Sequence, residues 1–541
     1  MKRSAPLLLP FALAAAVYSL PPGSYPPAPG LSALAPISTA AAAPAKTDAG
    51  PPEDGIAWEK GDVDTAFATA KAANKPVFLY WGAVWCPPCN QVKATIFNRQ
   101  DFVDRSRFFV PVYLDGDTKS AQKLGARFKV SGYPTMILFK PDGTEITRLP
   151  GEVDADQYMR VLALGMSGAR PVKDTLAAAL APGKAKLTPE EWRLLAYYSW
   201  DTDEQQVLPK DKVPATLQRL AQTCPADQRE TAARLEIKAL AASATAKGVK
   251  PHDDPASVDK VLKLLAASSF ARDNFDMVVY YSGDISKAYT LPKSAARAKL
   301  DAAWNIALDR LLADTSLSTG DRLSAVDARI TLARLDDPKA ALSPALLKSV
   351  REQAARADRE TTDLYARQAV ISSAAGVLAD AGLLDESDAM LKAELQRSHS
   401  PYYYMLGLAA NAKTRGDKSA ALGWYEKAYA AADGPATRLQ WGASYVTALV
   451  DLSPQDVARI DAATQSIIAE LDPAPDTFYG RNQRALERMS KKLSAWERDP
   501  KHDASLKRLR TQMASVCGKL PAGDPARTSC DSVFRPAAAK A

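Results

Sequence analysis

Two cysteines separated by only two residues, Cys86 and Cys89 with Pro87 and Pro88 between them, are the side chains of this sequence best suited to chemistry. Cysteines at this spacing, where an apolar strand gives way to a helix, can close a small disulfide ring with little backbone movement. The first thiol lies at the helix N-terminus, where the macrodipole and free backbone donors favour its thiolate. The pattern predicts thiol–disulfide exchange, with Cys86 as the exposed nucleophile. Cys89, one turn in and more buried, is expected to resolve the mixed disulfide on Cys86. Pro87 and Pro88 carry no amide hydrogen, so a smaller pKa depression is expected than most dipeptides would allow. A lone pair of this kind could equally be half of a zinc site. No second such pair exists, and His252, His399 and His502 lie far downstream. Neither a metal nor a cofactor is therefore expected.

The remaining cysteines are Cys224, Cys517 and Cys530. Gly518, Pro521, Gly523 and Pro525 give the Cys517–Cys530 loop a turn-rich character that can bring two Cβ atoms together, so a structural disulfide is expected there. Cys224 precedes Pro225 at an expected helix end and reads as a partly buried free thiol. Such usage suits an oxidising compartment. Lys2 and Arg3, the apolar stretch from Ala5 to Leu20 and the small residues from Ala40 to Ala43 read as a signal peptide over 1–43, followed by a Pro/Ala-rich linker over 44–54. A disordered leader or an uncleaved anchor is the alternative. No later apolar run is long enough to span a bilayer, so a periplasmic or secreted protein with no membrane span after cleavage is expected.

The elements that must position the dithiol follow from the residue pattern. Asp62 to Asn74 carries apolar residues at helical spacing, and Val77-Phe78-Leu79-Tyr80-Trp81 is a continuous apolar run suited to a strand buried on both faces. A helix is expected from Asn90 to about Ile96 and a short one over Gln100 to Arg105. A strand over Phe109 to Leu114 and a helix over Thr118 to Phe128 follow. Strands over Thr135 to Phe139 and Glu145 to Leu149 meet at an Asp142-Gly143 hairpin, and a helix over Asp154 to Leu164 closes the unit. The expectation is an α/β domain over 55–168. Beyond Gly168 strand signals nearly vanish, and 169–541 reads as a large all-α region punctuated by prolines. Gly382 and Gly416 stand 34 residues apart, with Ala375 matching Ala409 and Leu391 matching Tyr425. That period over about 368–435 resembles tetratricopeptide repeats.

Trp85-Cys86-Pro87-Pro88-Cys89 after an apolar strand, with Gly132-Tyr133-Pro134-Thr135 some forty-five residues later, resembles the thioredoxin superfamily. The resemblance implies that Pro134 is a cis-proline beside the dithiol, that Tyr133 touches the substrate disulfide and that Trp85 flanks the thiols; Trp81 reads as core. Within the superfamily, the segment around Ile96-Phe97-Asn98 and Asp115 is similar to the C-terminal domain of the membrane reductant conductor DsbD, whereas the Pro-Pro dipeptide is similar to nucleoredoxins and tryparedoxins. One departure stands out. The family's buried aspartate, six residues before the first cysteine, is here Tyr80, a poor base near neutral pH. Slow resolution by Cys89 is expected, or help from Lys93 or Glu145.

The chain has 541 residues, 47% hydrophobic and 24% charged, with a net charge of +7 spread along its length. This is too long for one ordinary core, and it offers no clustered basic face for nucleic acid. Two functions remain. One is an exported thiol–disulfide oxidoreductase, of reductase or isomerase type, whose partners are envelope protein thiols and disulfides with a membrane reductase as electron donor. The other is a helical scaffold whose thioredoxin-like domain serves for docking or redox sensing. Tyr402-Tyr403-Tyr404 and Tyr280-Tyr281 read as packing between helices, and Arg351 to Arg359 as a solvated face.

Overall fold

The computed structural model describes residues 55–534, apart from 60–61, 119, 131, 150, 152–153, 169, 182–186, 201–202, 204–206 and 497–502. The expected signal peptide and linker, with His502, lie outside the described residues.

Helix α1 (Val63–Ala73) starts where the Asp62 carboxylate accepts from the backbone N–H groups of Asp64 and Thr65, and it stops at Asn74 in the left-handed conformation, φ 49°. Strand β1 (Val77–Gly82) is buried along its whole length. It pairs in parallel with β2 (Val110–Asp115) and antiparallel with β3 (Thr135–Phe139), which pairs antiparallel with β4 (Glu145–Leu149). The sheet order is β2-β1-β3-β4.

Alternation along β1 sends Val77, Leu79 and Trp81 into a cluster with Val63, Ala66 and Ala70 of α1 and Ala121 of α4 (Ala121–Arg127). Phe78 and Tyr80 face the other way, toward α2 (Pro87–Val92), α3 (Gln100–Ser106) and α5 (Ala155–Met166). Both faces are covered, which accounts for the unbroken apolar run.

The helix that carries the dithiol differs from expectation. Helix α2 begins at Pro87 rather than Asn90, because a proline in the first turn forfeits only N–H groups that have no intrahelical partner anyway. The helix also widens into a π-helical turn over Lys93–Phe97.

From Val172–Leu180 to Pro525–Ser532 the described chain is helical. Helices Leu364–Asp380 and Leu384–Glu394 turn at Gly382, φ 85°, and helices Pro401–Thr414 and Lys418–Ala431 turn at Gly416, φ 80°. A left-handed conformation at both turns is the physical reason for glycine at this spacing. Cys517 and Cys530 are joined, with Cα atoms 5.6 Å apart, inside a cluster with Met513 and Ala526. Cys224 is free, and burial, with Asp227 nearby, pushes its thiol up to about 11. Among the described residues no helix is long and apolar enough to cross a membrane.

The change of fold type after Gly168 does not divide the core. One apolar cluster runs from Phe78, Trp85 and Cys89 through Trp192, Tyr198 and Leu235 to Tyr402 and Trp441.

Candidate functional site: a roofed dithiol

The chain leaves β1 at Gly82 and enters α2 with Cys86 as its N-cap, at φ −73° and ψ 114°. Because Pro87 and Pro88 have no N–H, the first helical donor to reach the sulfur belongs to Cys89, whose N–H donates to Cys86 Sγ at 3.2 Å. The two cysteines are joined, with Cα atoms 5.2 Å apart. This is the helix-start position that favours a thiolate on the first sulfur when the pair is reduced.

Trp85 directly precedes this pair, and Tyr133 and Pro134 line one cavity with Pro87 and Pro88. The Tyr133-Pro134 peptide bond is cis. The Trp85 and Tyr133 rings meet edge to face with centroids 5.8 Å apart, and Trp85 Nε1 donates to Asp117 Oδ2 at 2.9 Å. Tyr133 Oη accepts from Gln122 Nε2 at 3.2 Å, and burial pushes its phenol up to about 12. Gly116 makes room for this ring, since a Cβ there would lie 2.0 Å from Tyr133 Oη.

Tyr80 is fully buried, and desolvation, with Asp115 nearby, raises its phenol far above the ordinary value. Its ring stacks on Tyr113 at 5.3 Å, and its hydroxyl has no hydrogen-bond partner among the described residues. A phenol so raised accepts no proton at neutral pH. Glu145 does not replace it. Opposite Phe139 and bound to Arg148 at 2.9 Å, it sits at the far end of β3 from Pro134. Lys93 lies one turn beyond Cys89, buried, with Nζ 5.6 Å from the centre of the Tyr113 ring.

The expected exposure of Cys86 is overturned: Cys86 is 3% exposed and Cys89 0%. The helical region roofs them. Gln368 Nε2 donates to the Trp85 carbonyl at 3.3 Å from 283 positions away, and His399 Nε2 lies 3.3 Å from the Val84 carbonyl oxygen. Trp441 meets the Trp85 ring edge to face at 4.8 Å and Tyr403 stacks on it at 6.0 Å. The Arg481 guanidinium lies 4.7 Å from the centre of the Tyr133 ring, and its backbone N–H donates to Gln122 Oε1 at 2.8 Å.

Asp117 ties the two parts together. One oxygen serves Trp85, while the other accepts from the Thr437 N–H at 2.7 Å and from the Thr437 hydroxyl. Burial and neighbouring Asp115 push its carboxyl up to about 7 despite those bonds.

Sequence reasoning missed every roof residue. Each lies hundreds of positions from the loop it covers, and nothing local marks it. Of the tyrosines read as helix packing, Tyr403 stacks on Trp85, Tyr402 meets Trp441 and Tyr404 packs with Ile371 and Leu408. Among the described residues no cluster of three metal-ligating side chains occurs.

Residues 63–165 match the family model of the thioredoxin-like domain. Thioredoxin of Mycobacterium bovis is 33% identical over 101 residues, which is 18% of this chain and 83% of that protein. The chain belongs to the thioredoxin-like family. The thiol:disulfide interchange protein DsbD of Pseudomonas fluorescens is 30% identical over 103 residues, 18% of each chain. DsbD 1 of Pseudomonas aeruginosa is 31% identical over 115 residues, 20% of each. The chain thus spans about a fifth of the length of the DsbD relatives it matches.

Proposed function

We propose that this protein is an exported thiol–disulfide oxidoreductase working through Cys86 and Cys89. The observation that carries the reading is the joined pair at the start of α2 beside cis-Pro134, in a domain of the thioredoxin-like family. In the reduced protein the Cys86 thiolate attacks a substrate disulfide and releases one thiol. Cys89 then attacks Cys86 Sγ and releases the second, so two electrons pass to the substrate. Lys2, Arg3 and the apolar stretch after them support export, and likeness to DsbD supports envelope proteins as partners with a membrane reductase as donor. The repeat at Gly382 and Gly416 supports a tetratricopeptide-like reading of about 368–435.

The test is exchange with a model disulfide. Wild type reacts and Cys86→Ser does not; equal rates would remove the reading. The burial of Cys86 favours a second reading, a scaffold whose dithiol is little used. A stable partner that stays bound when both Cys86 and Cys89 are replaced would favour the scaffold.

A further inference from the structure

The peptide bond that leads into Cys86 is held at both of its polar groups. Its N–H, that of Cys86, donates to the Ala83 carbonyl at 3.2 Å. Its carbonyl, that of Trp85, accepts from Gln368 Nε2 at 3.3 Å. On the other side of Cys86, the Cys86 carbonyl accepts from the Asn90 N–H at 3.0 Å and from Asn90 Nδ2 at 3.1 Å. Of these partners only Gln368 comes from the helical region, on helix Leu364–Asp380.

Gln368 is itself fixed. It is 1% exposed, and its Oε1 accepts from the Ser398 hydroxyl at 2.7 Å, whose oxygen in turn accepts from the Ser400 N–H at 2.9 Å. With Oε1 so engaged, the amide turns its NH2 group toward the Trp85 carbonyl, which can only accept. His399, between the two serines, places Nε2 3.3 Å from the Val84 carbonyl oxygen, which also accepts from Asn90 Nδ2 at 2.8 Å. Two of the three successive carbonyls from Val84 to Cys86 are thus met from the roof.

This clamp is made on the joined pair. Reduction breaks the Sγ–Sγ bond, gives each sulfur a hydrogen and moves the two atoms apart to non-bonded contact. Cys89 lies inside α2 with no exposed surface, so the movement falls to Cys86, whose flanking peptides are held. The roof opposes the dithiol in a second way. A stabilised Cys86 thiolate favours the reduced pair, and a thiolate at a position 3% exposed has little water to stabilise it.

Resting on the oxidoreductase reading above, we infer that Gln368 is a positioning residue of the redox couple: holding the Trp85–Cys86 peptide from the helical region, it favours the disulfide over the dithiol and makes the pair a stronger reductant. By linkage the disulfide in turn tightens the hold of the helical region on the dithiol loop, and reduction loosens it.

The experiment is a glutathione equilibrium. Full-length wild type, Gln368→Met and Ser398→Ala are equilibrated with mixtures of reduced and oxidised glutathione, and the joined fraction of Cys86 and Cys89 is read by alkylation and mass. Two glutathione thiols become one glutathione disulfide as the Cys86–Cys89 bond opens, so electrons and protons balance. Gln368→Met keeps the length of the side chain and removes its donor. It is expected to shift the equilibrium toward the dithiol by roughly threefold to tenfold, a tenfold change being about 30 mV. Ser398→Ala, which releases Gln368 Oε1, is expected to shift it the same way by less. An unchanged equilibrium in Gln368→Met, or a shift toward the disulfide, overturns the inference and leaves the oxidoreductase reading standing, whatever happens to the unfolding midpoint. Where Gln368→Met fails to fold, Ser398→Ala decides by the same criterion. Should wild type show no reversible couple, the oxidoreductase reading itself falls and the inference with it.

Discussion

At the residue scale, the family's buried acid is replaced by a phenol that stays protonated near neutral pH and has no hydrogen-bond partner among the described residues. Tyr80 Oη is buried without a hydrogen bond, so its cost lies in desolvation. Tyr80→Phe is expected to raise stability by about 1 kcal/mol, read from the denaturant midpoint, and to leave the rate of mixed-disulfide resolution unchanged. A slower resolution would show that the phenol handles the proton after all. Asp117 makes an opposite kind of prediction. Its folded-state carboxyl, pushed from 3.8 up to about 7, keeps a proton that the unfolded chain has already released. Stability contributed by the protonated group is therefore present below about pH 4 and lost as the pH rises towards 7. Wild type should lose stability across that window, and Asp117→Asn should lose less, in unfolding curves at successive pH values. Cys86 and Cys89 were legible from their spacing only together with the apolar strand before them and Tyr133-Pro134-Thr135 after them, because a lone pair could equally be half of a zinc site. The burial of Cys86 was not, since it is imposed by residues such as Gln368 and Trp441 with no local link to it.

At the element scale, the strands of the α/β unit were legible because each is a short apolar run with a turn signal at its end. β3 and β4 match their expected limits residue for residue. The start of α2 was placed at Asn90, after the cysteines, although the first helical turn tolerates Pro87 and Pro88. Glu145 was misjudged because its distance from the dithiol depends on strand register, which puts it opposite Phe139 rather than near Pro134. The loop after β2 carries a sharper requirement, since it must pass beneath Tyr133. Gly116→Ala would place a methyl 2.0 Å from Tyr133 Oη and is expected to cost about 1–3 kcal/mol as overpacking. Tyr133 fluorescence or the unfolding midpoint should report it, and an unchanged midpoint would mean that the ring has room to move.

At the scale of the whole molecule, the thioredoxin-like unit and the helical region are one apolar body across the dithiol. The 34-residue spacing of Gly382 and Gly416 was visible in the sequence, yet it says nothing about which surface the helices cover. Trp441 is buried and meets Trp85 across the junction of the two parts, with ring centroids 4.8 Å apart. Trp441→Ala is expected to cost on the order of 3 kcal/mol and to speed alkylation of reduced Cys86; no acceleration would place the barrier elsewhere in the roof. The central claim is that Cys86 and Cys89 form a working redox couple beneath this roof, and equilibrating the full-length protein with glutathione buffers tests it most directly. A reversible two-electron couple, abolished by Cys86→Ser, is predicted between about −270 and −120 mV. A pair that stays oxidised or reduced across the whole buffer series, with no reversible transition in the native protein, would contradict the account.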